Sequence, residues 1–314
     1  MARLARVKVA LTVIPVPGHG AEDVVVDEQG AVFTGTDDGS VWRIRDDGRR
    51  IDRVGATGGR PLGLELLPDG RLLVCDAHRG LLALDTGTGA VEPLATHVHG
   101  ERILVCNNAA VHSSGAIYFS DSSRVFPLER WRADLVESTG TGRLLRRDPD
   151  GTVDVVLDGL RFANGVALSA DEAYVAVAET GGRTVVRRWL AGPRAGRVDR
   201  LAEDLPGYPD NIARGSDGLI WVTLASPRVP SLERVMRAPV PVRRVSSRLP
   251  RRLQPAPVRS ARVVALDDAG EVVHDLSADP ASYHMVTGVR ERLGRVWLGS
   301  LEESAVAVME WAPV

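Results

Sequence analysis

Short runs of Val, Leu and Ile alternate with clusters of Asp and Gly along almost the whole chain. The runs are continuous or alternate with a period of two over four to six residues, the pattern of half-buried or fully buried strands, and sustained helical periodicity is scarce. They pair around turns: Val24 to Val26 with Val32 to Thr34, Leu64 to Leu67 with Leu72 to Val74, and Val111 with Ile117 to Phe119. The same ruler returns at Val166 to Leu168 with Tyr174 to Val177, at Ile212 with Ile220 to Val222, and at Val289 with Val296 to Leu298. A second acidic-glycine turn follows the hairpin at Asp46 to Gly48, Asp85 to Gly89, Asp148 to Gly151 and Asp267 to Gly270. Each unit therefore holds four strands.

Six such units recur, roughly 40 to 57 residues apart apart from one long insertion, which predicts an all-β, six-bladed β-propeller with four-stranded blades. The last unit is cut short by the C-terminus, so the N-terminal strand Val9 to Val16 is expected to close it. The expected domain runs over residues 1–314, with an insertion at 228–262. Asp148, Asp150 and Asp154 superficially suggest a calcium loop, but lack its spacing and closing Glu; their recurrence in equivalent places makes such clusters hairpin turns.

Stepping back eight residues from each inner turn gives Glu22, Leu62, Asn107, Asn164, Asp210 and, with a one-residue slip, Val286 or Thr287. Equivalent positions at the start of the inner strands share one height around the channel. Four of the six carry side-chain oxygen, and carboxylates with amides, without His or Cys, suit a hard cation, Ca²⁺ ahead of Mg²⁺ or another divalent ion.

Composition narrows the chemistry. The 39 basic and 41 acidic residues leave a net charge of -2, which argues against a nucleic-acid partner. Lys8 is the one lysine, and it lies in the N-terminal strand region, so P-loop and Schiff-base chemistry fall away. Cys75 and Cys106 lack zinc spacing and read as reduced thiols of a cytoplasmic protein. No stretch of 18 apolar residues predicts a transmembrane helix, and no GxSxG elbow supports a serine hydrolase.

The motifs Ala21-Glu22-Asp23, Asn107-Asn108, Phe162-Ala163-Asn164-Gly165 and Tyr208-Pro209-Asp210-Asn211-Ile212, with Gly59 to Gly63, Asp76 to Leu81 and Trp189 to Gly196, carry a resemblance. The chain resembles the strictosidine synthase-like proteins, including the adipocyte plasma membrane-associated type, within the gluconolactonase (SMP-30) and paraoxonase superfamily. The resemblance implies a catalytic Ca²⁺ held by Glu22, Asn107, Asn164 and Asp210, with Asn211 as a further ligand and Asp210 also taking the proton from water. It implies a hydrolase of a lactone or ester with a small-molecule substrate. Asn108, Asp121 and Tyr208 are expected to face that substrate, and His284 is a second catalytic candidate.

Strictosidine synthase itself works without metal, through a glutamate before the last blade. Ser282, Tyr283, His284 and Met285 stand at that stretch here, which weakens the condensing or lyase reading. A non-catalytic binding scaffold is the remaining alternative.

The insertion from Arg228 to Arg262 holds ten arginines, six prolines and a single acid, Glu233. Leu232, Val235 and Met236, then Val242, Val245 and Leu249, recur at helical spacing and predict short basic amphipathic helices over the ring mouth. A lid is the preferred reading. A solvated loop comes behind it, and peripheral membrane contact is the least favoured of the three, since the prolines keep each helix too short for firm binding. Residues 124–141, with Phe126, Trp131 and Leu135, are expected to form a second wall of the pocket.

Overall fold

The computed structural model describes residues 5–311; the ends of the expected domain, 1–4 and 312–314, lie outside the described residues. Six antiparallel four-stranded sheets follow one another around an axis. Their inner strands are Val24–Val26, Pro61–Leu66, Cys106–Val111, Ala163–Leu168, Gly207–Arg214 and Val286–Arg292. Blade six is completed by Leu11–Pro15, paired antiparallel to Ala305–Glu310, so the ring closes as the sequence predicts. Two additions were not foreseen: Val7–Lys8 pairs in parallel with the outer strand of blade five, Val272–Ser277, and His97–Val98 pairs antiparallel with Glu101–Arg102 as a separate ribbon.

The turns behave as the Asp and Gly clusters require. At Asp148 to Gly151 the Gly151 amide donates to the Asp148 carbonyl, Asp150 Oδ1 accepts from Thr152 N at 2.9 Å, and Gly151 takes φ 92°, a conformation that suits glycine. Apolar faces of adjacent blades interdigitate. Val25, Val41, Leu64 and Val74 fill the seam between blades one and two, and Leu73, Leu81, Phe119 and Leu145 that between blades two and three. Cys75 and Cys106 are free thiols buried in the second seam. Burial pushes the Cys106 thiol upward, which removes it as a nucleophile.

In blades two to six the inner strand shifts register against its partner at the same place: Pro61/Leu64, Cys106/Ala109, Ala163/Val166, Pro209/Ile212 and Val286/Val289. A bulge there re-aims side chains that regular pleating would send into the seams. The two residues inside each bulge form two stacked levels around the axis. The lower level alternates polar residues with glycines: Asp23, Gly63, Asn108, Gly165, Asn211 and Gly288. A Cβ on Gly165 would lie 2.0 Å from the Ile212 amide nitrogen, so glycine is what lets neighbouring blades approach at this level.

Among the described residues, three α-helices sit in the two long insertions. α1 (Trp131–Glu137) belongs to blade three; α2 (Pro230–Met236) and α3 (Val240–Ser247) belong to blade five. They pack on one another as a roof over one mouth of the channel. Arg243 donates to the Glu137 carbonyl at 2.5 Å, Ser247 Oγ donates to Glu137 Oε1 at 2.6 Å, and Glu233 joins Arg183 and Arg228 at 3.1 and 2.9 Å. No helix among the described residues is long and apolar enough to cross a membrane.

Candidate metal centre in the central channel

The upper level of the channel is Glu22, Leu62, Asn107, Asn164, Asp210 and Thr287; the bulge register resolves the slip in favour of Thr287, whose hydroxyl donates to the Glu22 carbonyl at 2.8 Å. Glu22, Asn107, Asn164 and Asp210 line one cavity together. All but Asp210, which is partly exposed, are buried.

The two amides are oriented from behind. Asn107 Nδ2 donates to Ser122 Oγ at 3.0 Å. Asn164 Nδ2 donates to Thr180 Oγ1 at 3.2 Å, and that hydroxyl donates onward to the Pro209 carbonyl at 2.8 Å. Each NH₂ has a hydroxyl partner behind the ring, that of Asn164 also pulling the Asp210 carboxyl down, which leaves the two amide oxygens for the channel. Asn107 Oδ1, Asn164 Oδ1 and Asp210 Oδ1 are buried and have no hydrogen-bond partner. Orphaned buried acceptors are costly at about 1–3 kcal/mol each, and three of them converging on one space with a second carboxylate is a donor set that fits a hard cation.

The charges agree. Burial raises the Glu22 carboxyl to about 7, with the Arg60 guanidinium pulling it down and Asp23 pushing it up. Asp210 is pushed well above the ordinary carboxylate range by burial first and by Glu22 second. Arg60 Nη2 lies 3.4 Å from Glu22 Oε2 while its Nη1 holds the Gly20 carbonyl at 2.9 Å, so this guanidinium offsets Glu22, whereas Asp210 feels Glu22 and Asp23 as like charges. Among the described residues no three His, Cys, Asp or Glu cluster as a metal site; amides supply half of this ring.

The expected substrate residues divide. Tyr208 lines the cavity, with its hydroxyl accepting from Val229 N at 3.4 Å. Asn108 lies one level down, giving its Nδ2 to Asp23 at 3.2 Å and accepting from Val166 N at 2.9 Å; the bulge turns it away from the cavity. Asp121 is a correction as well. Fully buried, it accepts from Leu104 N and Val105 N at 3.2 and 2.9 Å and pairs with Arg143 at 3.1 Å, which makes it a support for the loop into blade three. Asn211 is buried with neither amide atom partnered, but it belongs to the lower level and does not line the cavity with the other four. His284 also stays outside the cavity lining. Its ring is clasped by Glu303 at Nδ1 and by Glu302 at Nε2, the latter at 3.2 Å.

Arg60 and Thr180 escaped the sequence reading, and Ser122 entered it only as a serine nucleophile, a reading set aside for want of a GxSxG elbow, and not as the anchor of an amide. A signal existed for the hydroxyls: each follows the last residue of a second strand, Asp121 or Glu179, that pairs with the residue preceding a ring asparagine. The cavity walls above the ring are apolar, from Trp131, Leu135, Phe162, Val229, Leu232 and Met285. Trp131 and Leu135 of α1 thus form the second wall predicted for the blade-three insertion, and Leu232 of α2 closes the top, while buried Phe126 is not part of the lining.

The chain matches two family models, strictosidine synthase over residues 107–193 and the strictosidine synthase-like N-terminal region over 9–44. It is 33% identical to strictosidine synthase-like 13 of Arabidopsis thaliana over 81% of this chain and 62% of that protein. Strictosidine synthase-like 6 of the same plant is 32% identical over 92% of this chain and 78% of its own length. The adipocyte plasma membrane-associated protein of Danio rerio is 36% identical over 62% of this chain, which spans only 51% of that protein. Among solved structures, a gluconolactonase from Xanthomonas campestris superposes with a TM-score of 0.70 at 17% identity, over 96% of this chain and 89% of that one. A calcium-binding protein, regucalcin, from Agrobacterium tumefaciens gives 0.67 at 15% identity, over 98% and 96%. At these identities the structures share the propeller fold.

Proposed function

Because this chain belongs to the strictosidine synthase-like family, we propose that it is a calcium-dependent hydrolase of a lactone or ester acting at the upper level of the channel. The observation that carries the reading is the convergence of three buried, unpartnered oxygens, on Asn107, Asn164 and Asp210, with the Glu22 carboxylate at the floor of an apolar cavity.

Glu22, Asn107, Asn164 and Asp210 would hold the ion. A calcium ion there would polarise the substrate carbonyl and stabilise the negative charge that gathers on its oxygen as water adds, an effect of several kcal/mol. Ser122 and Thr180 keep the amide oxygens aimed inward, and Arg60 steadies Glu22. Asp210 accepts the proton of the attacking water. Without the ion, burial and its neighbour Glu22 push its carboxyl well above the ordinary range; a bound cation would hold it ionised and so able to accept that proton. The apolar walls seat the non-reacting part of the substrate and exclude bulk water.

The metal-free condensing alternative would rest on Tyr283 or His284. Tyr283 is fully buried in blade six, its hydroxyl donating to the Leu298 and Ala305 carbonyls at 3.2 and 3.1 Å, and His284 is clasped by two glutamates outside the cavity. Neither lines the cavity above the ring. The test is hydrolysis of phenyl acetate and of an aliphatic lactone before chelation, after it, and after calcium is restored. Activity should vanish and return, and Asp210→Asn should lower kcat by roughly a hundredfold or more. Turnover indifferent to both chelation and Asp210→Asn would end the proposal; bound calcium with no turnover on either substrate would favour the scaffold.

A further inference from the structure

We propose that the blade-five insertion docks this protein onto an anionic phospholipid surface through the outward face of α3 and the arginines beside it. α3 is mounted against the usual sense of an amphipathic helix. Its inward side is polar: Arg243 and Ser247 hold the end of α1 through the Glu137 carbonyl and carboxylate. Its apolar residues Val242 and Val245, followed by Leu249 two positions beyond the helix end, share one helical face, and all three are exposed, Val245 at 64%. Helices that rest on a protein core turn such a stripe inward. Here the stripe is turned out.

The exposure is concentrated. Six of the twelve large apolar side chains that stand exposed among the described residues fall between 240 and 258: Val240, Val242, Val245, Leu249, Leu253 and Val258. Exposed apolar groups scattered singly call for no explanation, whereas a contiguous set marks an interaction surface. Arg244, Arg248 and Arg252 are interleaved with them and exposed, and no ion pair among the described residues engages these three. The segment as a whole carries ten arginines against Glu233, which is already paired with Arg183 and Arg228.

Charge and shape together select the occupant. A second copy meeting it through the same face, as a two-fold dimer does, would bring like charges against like charges. A nucleic acid would meet aliphatic valines and leucines, which offer its bases no stacking surface. An anionic bilayer satisfies both halves of the patch: the aliphatic side chains enter the headgroup boundary while the guanidiniums pair with phosphate. Shortness, which on sequence alone counts against firm binding, loses its force because α1 already holds α3 in its helical form. No folding entropy remains to be lost at the surface.

The inference stands apart from the hydrolase reading, since no ring residue takes part. Its test is co-sedimentation of the full chain with phosphatidylcholine vesicles and with vesicles that also contain phosphatidylserine, at low and at high salt. Binding should require phosphatidylserine and weaken sharply with salt. Arg244→Gln with Arg248→Gln should cut partitioning by roughly twentyfold, at about fivefold for each charge near the surface. The triple change Val242→Ser, Val245→Ser, Leu249→Ser should lower it at least tenfold. Because these side chains are exposed, the melting temperature of each variant should match the parent. No binding to phosphatidylserine vesicles, binding unchanged in both variants, concentration-dependent dimerisation abolished by the triple change, or tighter retention on a polynucleotide than on vesicles would each overturn the proposal.

Discussion

If Glu22 and Asp210 face an ion, the stability gained from calcium must grow as pH rises, and the structure sets the scale. Without the ion, burial holds the Glu22 carboxyl at about 7 against an ordinary 4.5. The unfolded chain therefore releases this proton first, and the folded protein loses stability as pH climbs from the lower value through the higher. At about 1.4 kcal/mol per pH unit the loss reaches roughly 3 kcal/mol by neutral pH, and Asp210 pushes in the same direction. Calcium favours the ionised carboxylates and opposes that loss. Thermal unfolding with excess calcium and with EDTA, followed from pH 5 to pH 8, should show nearly coincident midpoints at the acid end. They should separate by about 6 °C or more at the alkaline end, taking about 2 °C per kcal/mol for a chain of this size. Titrations elsewhere in the fold affect both samples alike and cancel. A gap that stays constant over this range, or closes as pH rises, would refute the placement of these two carboxylates against a shared cation.

Four other outcomes follow from the geometry. Asn107→Ala or Asn164→Ala removes one inward oxygen and should weaken calcium binding by tenfold or more in calorimetric titration. Thr180→Val touches no proposed ligand oxygen but frees the Asn164 amide to turn, so calcium affinity should fall by about ten- to a hundredfold. Asp121→Ala should lower stability by about 3 kcal/mol in urea unfolding, because buried Arg143 loses its buried carboxylate and keeps only exposed Glu101 and the Arg102 carbonyl, while the calcium affinity of the folded fraction stays at the parent value. His284→Ala should change kcat/KM by less than about twofold, since the ring lies outside the cavity; a larger loss confined to kcat would restore its catalytic role.

Much of this molecule was legible from local pattern. Strand and turn chemistry act over a few residues, so the Val, Leu and Ile runs and the Asp and Gly turns announced four strands per unit and six units. The fixed distance from turn to inner-strand start brought Glu22, Asn107, Asn164 and Asp210 to one height, and the structure has them lining one cavity. Leu11–Pro15 closing blade six followed from the truncated last unit.

Other features depended on contacts between residues far apart in the chain, which no periodicity encodes. The recurring bulge decides that Asn107 faces the cavity while Asn108, its neighbour, turns to Asp23 and Val166. Ser122 and Thr180 matter only because a neighbouring strand brings them within reach of an amide. Asp121 and His284 have the right chemistry for a substrate, but Arg143 and two backbone amides claim the first, and Glu302 and Glu303 the second. The spacing of Val242, Val245 and Leu249 established a helical face and left its direction open. Packing against Glu137 of a helix more than a hundred residues earlier turned that face outward, since orientation is set by the partner a helix finds and not by the helix itself.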